Sequence, residues 1–237
     1  MSSYSFESVV AEATQADRSA YLRRVLSTTL LGLGVSGVTS VASATVIATT
    51  PQLLSGYAPM ILILGCWAVT NFVAQPMVFG NAKWPGFFLG TAAQGVAMGF
   101  LLLAAMLVSG ASLGNPFLLI GLAAGLTFFS ALGMTAYAWT APREFSLLGA
   151  ALSALSIPML ILMAVSFAFP GLFGGGLGLV LSAVFVLISA GSLLYQLNGV
   201  IHRFTTSMYV EGAYAITLGI LVLFWNILSL LMRLNRR

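Results

Sequence analysis

From Val25 to Met232 the chain carries almost no charge. Apart from tyrosines and Cys66, the ionisable residues of that stretch are Lys83, Arg143, Glu144, His202, Arg203 and Glu211. Long uncharged runs broken by single charged points are what a bilayer with a hydrocarbon core about 30 Å thick selects, because a charge held in it is costly. Over the whole chain 6% of residues are charged and 59% hydrophobic, where a soluble domain carries roughly 25% charged residues. The remaining charges crowd the termini: Glu7, Glu12, Asp17, Arg18, Arg23 and Arg24 at one, Arg233, Arg236 and Arg237 at the other. The sequence therefore predicts an all-α membrane protein.

Apolar spans fall at 25–48, 54–79, 86–109, 115–139, 146–169, 176–197 and 212–233. Each is long enough to cross at 1.5 Å rise per residue. Turn chemistry separates them: Thr50-Pro51-Gln52, the run from Gly80 to Gly86, Gly114-Asn115-Pro116, Ala141-Pro142-Arg143-Glu144, and Gly171 to Gly178. The expected organisation is a polar tail over 1–24 followed by one seven-helix transmembrane domain over 25–237. Arg23-Arg24, an apolar run and Ala42-Ser43-Ala44 imitate a cleaved signal peptide. The long acidic leader argues instead for a retained first helix.

Positive charge marks the cytoplasmic side. With the N-terminus cytoplasmic, Arg18, Arg23, Arg24, Lys83, Arg143 and Arg203 all lie inside, and the loops near 50, 112 and 173 lie outside without a charge. The C-terminal arginines conflict with this rule if the last segment crosses. Small residues recur at helical spacing: Gly32, Ser36, Ser40 and Ala44; Thr91, Gly95 and Gly99; Gly121 and Gly125. Such strips let helix backbones approach closely in lipid, so packing within the bundle is expected of them.

Little in the sequence points to catalysis. His202 is the only histidine, the membrane spans hold no pair of acids, and the glycines at 171–176 lack the lysine of a phosphate loop. One Cys and one His cannot build a zinc site from the usual ligands, so neither metal nor cofactor is expected. The net charge of +4 sits at helix ends rather than in a nucleic-acid-binding patch. Neutral polar groups remain as pathway candidates: Gln94, Gln196, Asn198 and Asn226. Asn226 stands alone in an apolar helix, where an interhelical hydrogen bond is the plainer expectation.

Four stretches in register carry a family resemblance. Residues 189–202, from Ser189 through Tyr195, Gln196 and Asn198 to His202, resemble the sixth-helix signature of the Bax inhibitor-1 family. Phe224-Trp225-Asn226 followed by Leu231-Met232-Arg233-Leu234 resembles its last helix. Tyr21 to Val25 is similar to the start of its first helix, and Phe128 to Ser146, with Ala136 to Thr140 and Arg143 to Ser146, to its Tyr-Gly-Tyr-Thr-Thr-Lys-Arg-Asp-Phe-Ser loop. The resemblance implies a seven-helix bundle around a central C-terminal helix. It also implies a bacterial-type inner membrane and two activities. Members are described as pH-sensitive calcium-leak proteins, and some bacterial relatives modulate a membrane-bound ATP-dependent protease of the FtsH type.

In the calcium-leak members two facing aspartates share a proton and form a pH sensor. Here those positions hold Gln196 and Leu223. Neither side chain titrates, so the switch cannot operate in that form. The first expectation is therefore a regulatory, stress-associated membrane protein that contacts a protease, with the polar segment 1–22 as an exposed contact. The alternative is a cation leak, for calcium ions, with weak or no pH gating, walled by Gln196, Asn198, Asn226 and the edge acid Glu211.

Overall fold

A computed structural model describes residues 9–140, 145, 148–152, 154–155 and 175–235. Among them six helices are long and apolar enough to cross a membrane. They are α1 (Gln15–Thr49), α2 (Ala58–Val78), α3 (Lys83–Leu113), α4 (Leu118–Thr140), α5 (Gly175–His202) and α6 (Tyr209–Leu234). The span expected at 146–169 lies mostly outside the described residues. Its described start runs antiparallel to α5: a Cβ at Gly149 would meet the Tyr195 ring, and one at Gly191 would lie 3.8 Å from Leu148. Two residues contribute a β-bridge, Val9 with Thr205. The architecture is an all-α membrane bundle.

Helix ends follow local chemistry more closely than hydropathy. The helix α1 starts at Gln15, ahead of the apolar run at 25, because Thr14 caps it. The Thr14 hydroxyl accepts from the Asp17 backbone N–H at 3.2 Å and donates to the Asp17 carboxylate at 2.7 Å. At 1.5 Å per residue its 35 residues span about 52 Å, so the polar first turns project past the hydrocarbon. The helix α3 ends at Gly114, whose φ of 69° is the left-handed conformation that glycine adopts without strain.

In α2 the α-helix of Ala58–Ala68 widens to a π turn over Val69–Ala74 before resuming at Gln75–Val78. Pro76 explains the position. It lacks an N–H and its ring crowds the carbonyl four residues back, and a local π register relieves both.

Two of the small-residue strips pack on each other. The helices α1 and α3 run parallel: Ser36 Oγ donates to the Thr91 carbonyl at 2.8 Å and Ser43 Oγ to the Val96 carbonyl at 3.1 Å. A Cβ at Gly95 would lie 2.5 Å from the Ser36 carbonyl oxygen, and one at Gly99 2.8 Å from the Ala44 nitrogen. The third strip behaves differently. A Cβ at Gly121 or Gly125 would meet no described atom within 4 Å.

The helix α6 is central. It lays Thr217 against Gly32 of α1, Tyr214 against Gly90 of α3, and Gly219 against Leu193 and Gln196 of α5. Of its apolar stretch 39% is buried, against 17–33% in the other five helices. Helix starts at 15, 83 and 209 and helix ends at 78, 140 and 202 gather at one pole of the bundle. Lys83, Arg203, Glu211 and the arginines of α1 make this the polar pole. At the opposite pole the charged residue among those described is Arg233.

Candidate functional site

The polar pole is built around the entry of α6. Glu211 lies in that helix's first turn, where free backbone N–H groups favour an anion. It is 2% exposed, and its Oε1 sits 2.6 Å from Nζ of Lys83, the first residue of α3, whose side chain is 41% exposed. The carboxylate is thus sealed beneath a lysine that itself stays partly exposed. Its other oxygen, Oε2, is buried and has no hydrogen-bond partner among the described residues. The buried Tyr21 hydroxyl is in the same state. It rests on the next residue of α6: a Cβ at Gly212 would lie 2.9 Å from it.

Aromatic rings and cations surround this point. The Trp84 indole stacks on Phe88 with centroids 5.8 Å apart and meets Tyr209 edge-on at 6.4 Å. The Arg24 guanidinium lies 5.9 Å from the Tyr209 centroid. Arg203 covers the Tyr195 ring at 4.8 Å and donates to its hydroxyl. Aromatic rings paired with arginine and lysine are the side chains that settle at a membrane interface.

The chain ahead of α1 closes over the same end. Val10 is fully buried, and its N–H donates to the Phe204 carbonyl at 3.0 Å. In the segment 1–22, expected as an exposed contact, most described residues between Ala11 and Ala20 are exposed, and Val10 and Tyr21 are not. Val10 and Tyr21 belong to the core, because both are apolar surfaces seated against the α5–α6 connection. Residues 1–8 lie outside the described set.

The expected pathway residues sit in different surroundings among the described residues. Gln196 faces Gly219, one turn from Leu223 towards the polar pole. Its Nε2 donates to Ser192 Oγ at 3.4 Å, and its Oε1 is buried without a described partner. Leu223 is 1% exposed, inside the main aliphatic cluster with Leu193, Leu197 and Ile227. Asn198 is 1% exposed, and its Oδ1 accepts from the Phe145 N–H at 3.1 Å. Asn226 donates to the Val222 carbonyl of its own helix at 3.0 Å. This bond is local, because a helix carbonyl four residues back is the nearest acceptor for a short amide side chain.

The interior hydroxyls follow the same rule. Thr70, Thr91, Thr127, Ser182 and Thr217 donate to carbonyls four residues earlier in their own helices. A cross-helix bond at the π turn is the exception of interest: Tyr214 Oη donates to the Thr70 carbonyl at 3.2 Å. Among the described residues no three of His, Cys, Asp and Glu come together.

Sequence reasoning misses Lys83 as the partner of Glu211, and it misses Tyr21 and Tyr214. A signal for the first exists: two lone opposite charges, each placed at the start of an apolar span.

Comparison with known proteins agrees with this architecture. A family model described as "Inhibitor of apoptosis-promoting Bax1" matches residues 18–237. A protein of Vibrio cholerae serotype O1, described as an uncharacterized membrane protein, is 27% identical over 219 residues, covering 92% of this chain and 93% of its own length.

Proposed function

The chain belongs to the Bax inhibitor-1 family of integral membrane proteins, and on that premise we propose that it regulates a membrane-bound partner, an ATP-dependent protease of the FtsH type. The family resemblance supplies the partner class. One structural observation supports regulation over conduction. Most hydroxyls of the described interior are bonded to their own helices, and at Leu223 the resemblance's titratable position is replaced by carbon. Cross-helix charge and aromatic chemistry collects at one pole, within reach of a partner's soluble domain. With the N-terminus cytoplasmic in a bacterial inner membrane, that pole faces the compartment where such a protease unfolds its substrates.

Crosslinking in native membranes tests the reading. A photoreactive side chain placed at exposed Arg23 or Ser19 is expected to capture a membrane protease. Recovery of no specific membrane protein from either position would overturn it.

A second reading, a calcium or other cation leak, draws on two buried oxygens without described partners, Gln196 Oε1 and Glu211 Oε2. Purified protein in dye-loaded liposomes decides between the two. The regulatory reading expects no calcium flux above empty vesicles from mildly acidic to mildly alkaline pH. Under the leak reading flux appears, with little pH dependence, because neither Gln196 nor Leu223 titrates.

A further inference from the structure

The outer face of α1 combines features that its other faces lack. At its polar end Arg23 and Arg24 are exposed and form no salt bridge among the described residues. The Arg24 guanidinium is positioned over Tyr209, whose ring also meets Trp84. Seven, eleven and fourteen residues further along lie Leu31, Val35 and Val38, the same stripe of a helix with 3.6 residues per turn. Here a shallow groove opens outward, lined by Leu30, Leu31, Gly34, Val35, Val38 and Thr39. Gly34 forms its floor, since a Cβ there would meet nothing within 4 Å. Thr39 adds no polar demand, because its hydroxyl donates to the carbonyls of Val35 and Ser36.

We propose that this face is a binding site for one anionic phospholipid, with its phosphate on Arg24 and an acyl chain in the Gly34 groove. Charge complementarity selects the occupant: a cation at the top and hydrocarbon below is the inverse of an anionic lipid. The depth agrees. The groove residues begin about 9 Å and end about 22 Å along the axis from Arg24, which spans the single leaflet of a hydrocarbon core about 30 Å thick. The aromatic platform of Tyr209 and Trp84 holds the guanidinium at the headgroup level. None of these features depends on a regulated partner, so the site stands or falls independently of one.

Native mass spectrometry of the full chain released from detergent tests the proposal, with phosphatidylglycerol and phosphatidylcholine of identical acyl chains as probes. Phosphatidylglycerol is expected to bind more tightly. Arg24→Gln is expected to weaken it about five-fold, the scale of one basic residue at an anionic surface, and to weaken phosphatidylcholine less, because its choline cation already offsets the phosphate charge. Gly34→Leu, which fills the groove without a clash, is expected to weaken both lipids. Arg18→Gln removes a charge at the same pole but off this stripe, and is expected to change little. Equal affinity for the two lipids overturns the proposal, as does an unaffected Arg24→Gln variant. If inorganic phosphate displaces the lipid completely, the groove plays no part and the proposal falls. If Gly34→Leu abolishes a dimer and spares lipid binding, the face belongs to a second copy of this chain instead.

Discussion

The polar pole and the buried interior of the bundle solve the same problem in opposite ways. At the pole, side chains reach from one helix to another: Lys83 to Glu211, Arg24 to Tyr209, Arg203 to Tyr195, and Asn198 to the Phe145 backbone. In the interior most hydroxyls turn back onto their own helices, and helices meet through glycine and serine instead. Water and headgroups complete imperfect polar contacts at the pole, whereas hydrocarbon leaves a failed contact uncompensated. Long-reach polar chemistry therefore gathers where solvent can finish it. Inside, close backbone approach supplies the packing that no hydrophobic effect supplies between helices in lipid.

The strongest test of this contrast is at the α1–α3 contact. Gly95→Val places methyl groups against Ser36, whose carbonyl oxygen lies 2.5 Å and Cα 2.9 Å from the point the new Cβ would occupy. Overpacking of this kind costs up to about 3 kcal/mol, a fall in Tm of roughly 6–12 °C for a chain of this size. Thermal unfolding of the detergent-solubilised protein measures it. An unchanged Tm would mean that this interface does not hold the bundle together.

The next effect belongs to the pole. Lys83→Met strips the partner from a carboxylate that is 2% exposed. The full cost of breaking a buried pair is about 3–5 kcal/mol, and the partial exposure of Lys83 reduces it to about 2 kcal/mol. Glu211→Gln removes the charge itself and is expected to cost under about 1 kcal/mol, and the double variant little more than Glu211→Gln alone. Strict additivity of the two single effects would show that the pair is not coupled. It would also undercut the contrast between pole and interior.

Smallest is the comparison of two interior polar groups. Tyr214→Phe deletes a bond between helices and is expected to cost about 0.6 kcal/mol, the average for such bonds in membranes. Asn226→Leu deletes a bond within one helix and is expected to be neutral or slightly stabilising. A larger loss for Asn226 than for Tyr214 would reverse the account of which interior contacts join helices.

Much of this architecture is readable from residues alone. Charge-free runs of more than twenty residues dictate helices in lipid, since no other isolated segment satisfies its own backbone there. The strip Gly32, Ser36, Ser40, Ala44 announces a close helix contact, and so does Thr91, Gly95, Gly99. Spacing does not reveal that these two strips meet each other in parallel, or that Gly121 and Gly125 meet no described neighbour. Hydropathy misplaces the start of α1 because it does not see a cap: Thr14 and Asp17 add ten residues that no apolar count contains.

The candidate site is legible only in pieces. Glu211 stands out as a lone acid beside a span, and Gln196 and Leu223 as neutral residues at the resemblance's sensor positions. Their surroundings are not legible, because each depends on which helix lies opposite. Lys83 and Glu211 are far apart in sequence, and only the packing of α3 against α6 brings them to 2.6 Å.

By itself the sequence determined the solvent of this protein, its helical class and its family, because hydropathy, turn residues and local motifs act within one segment at a time. Tertiary structure decided that α6 occupies the centre, that Val10 and Tyr21 are buried, and that Gln196 faces Gly219. Those outcomes follow from shape and polarity matched between segments remote in the chain, and no local pattern encodes which segments will meet.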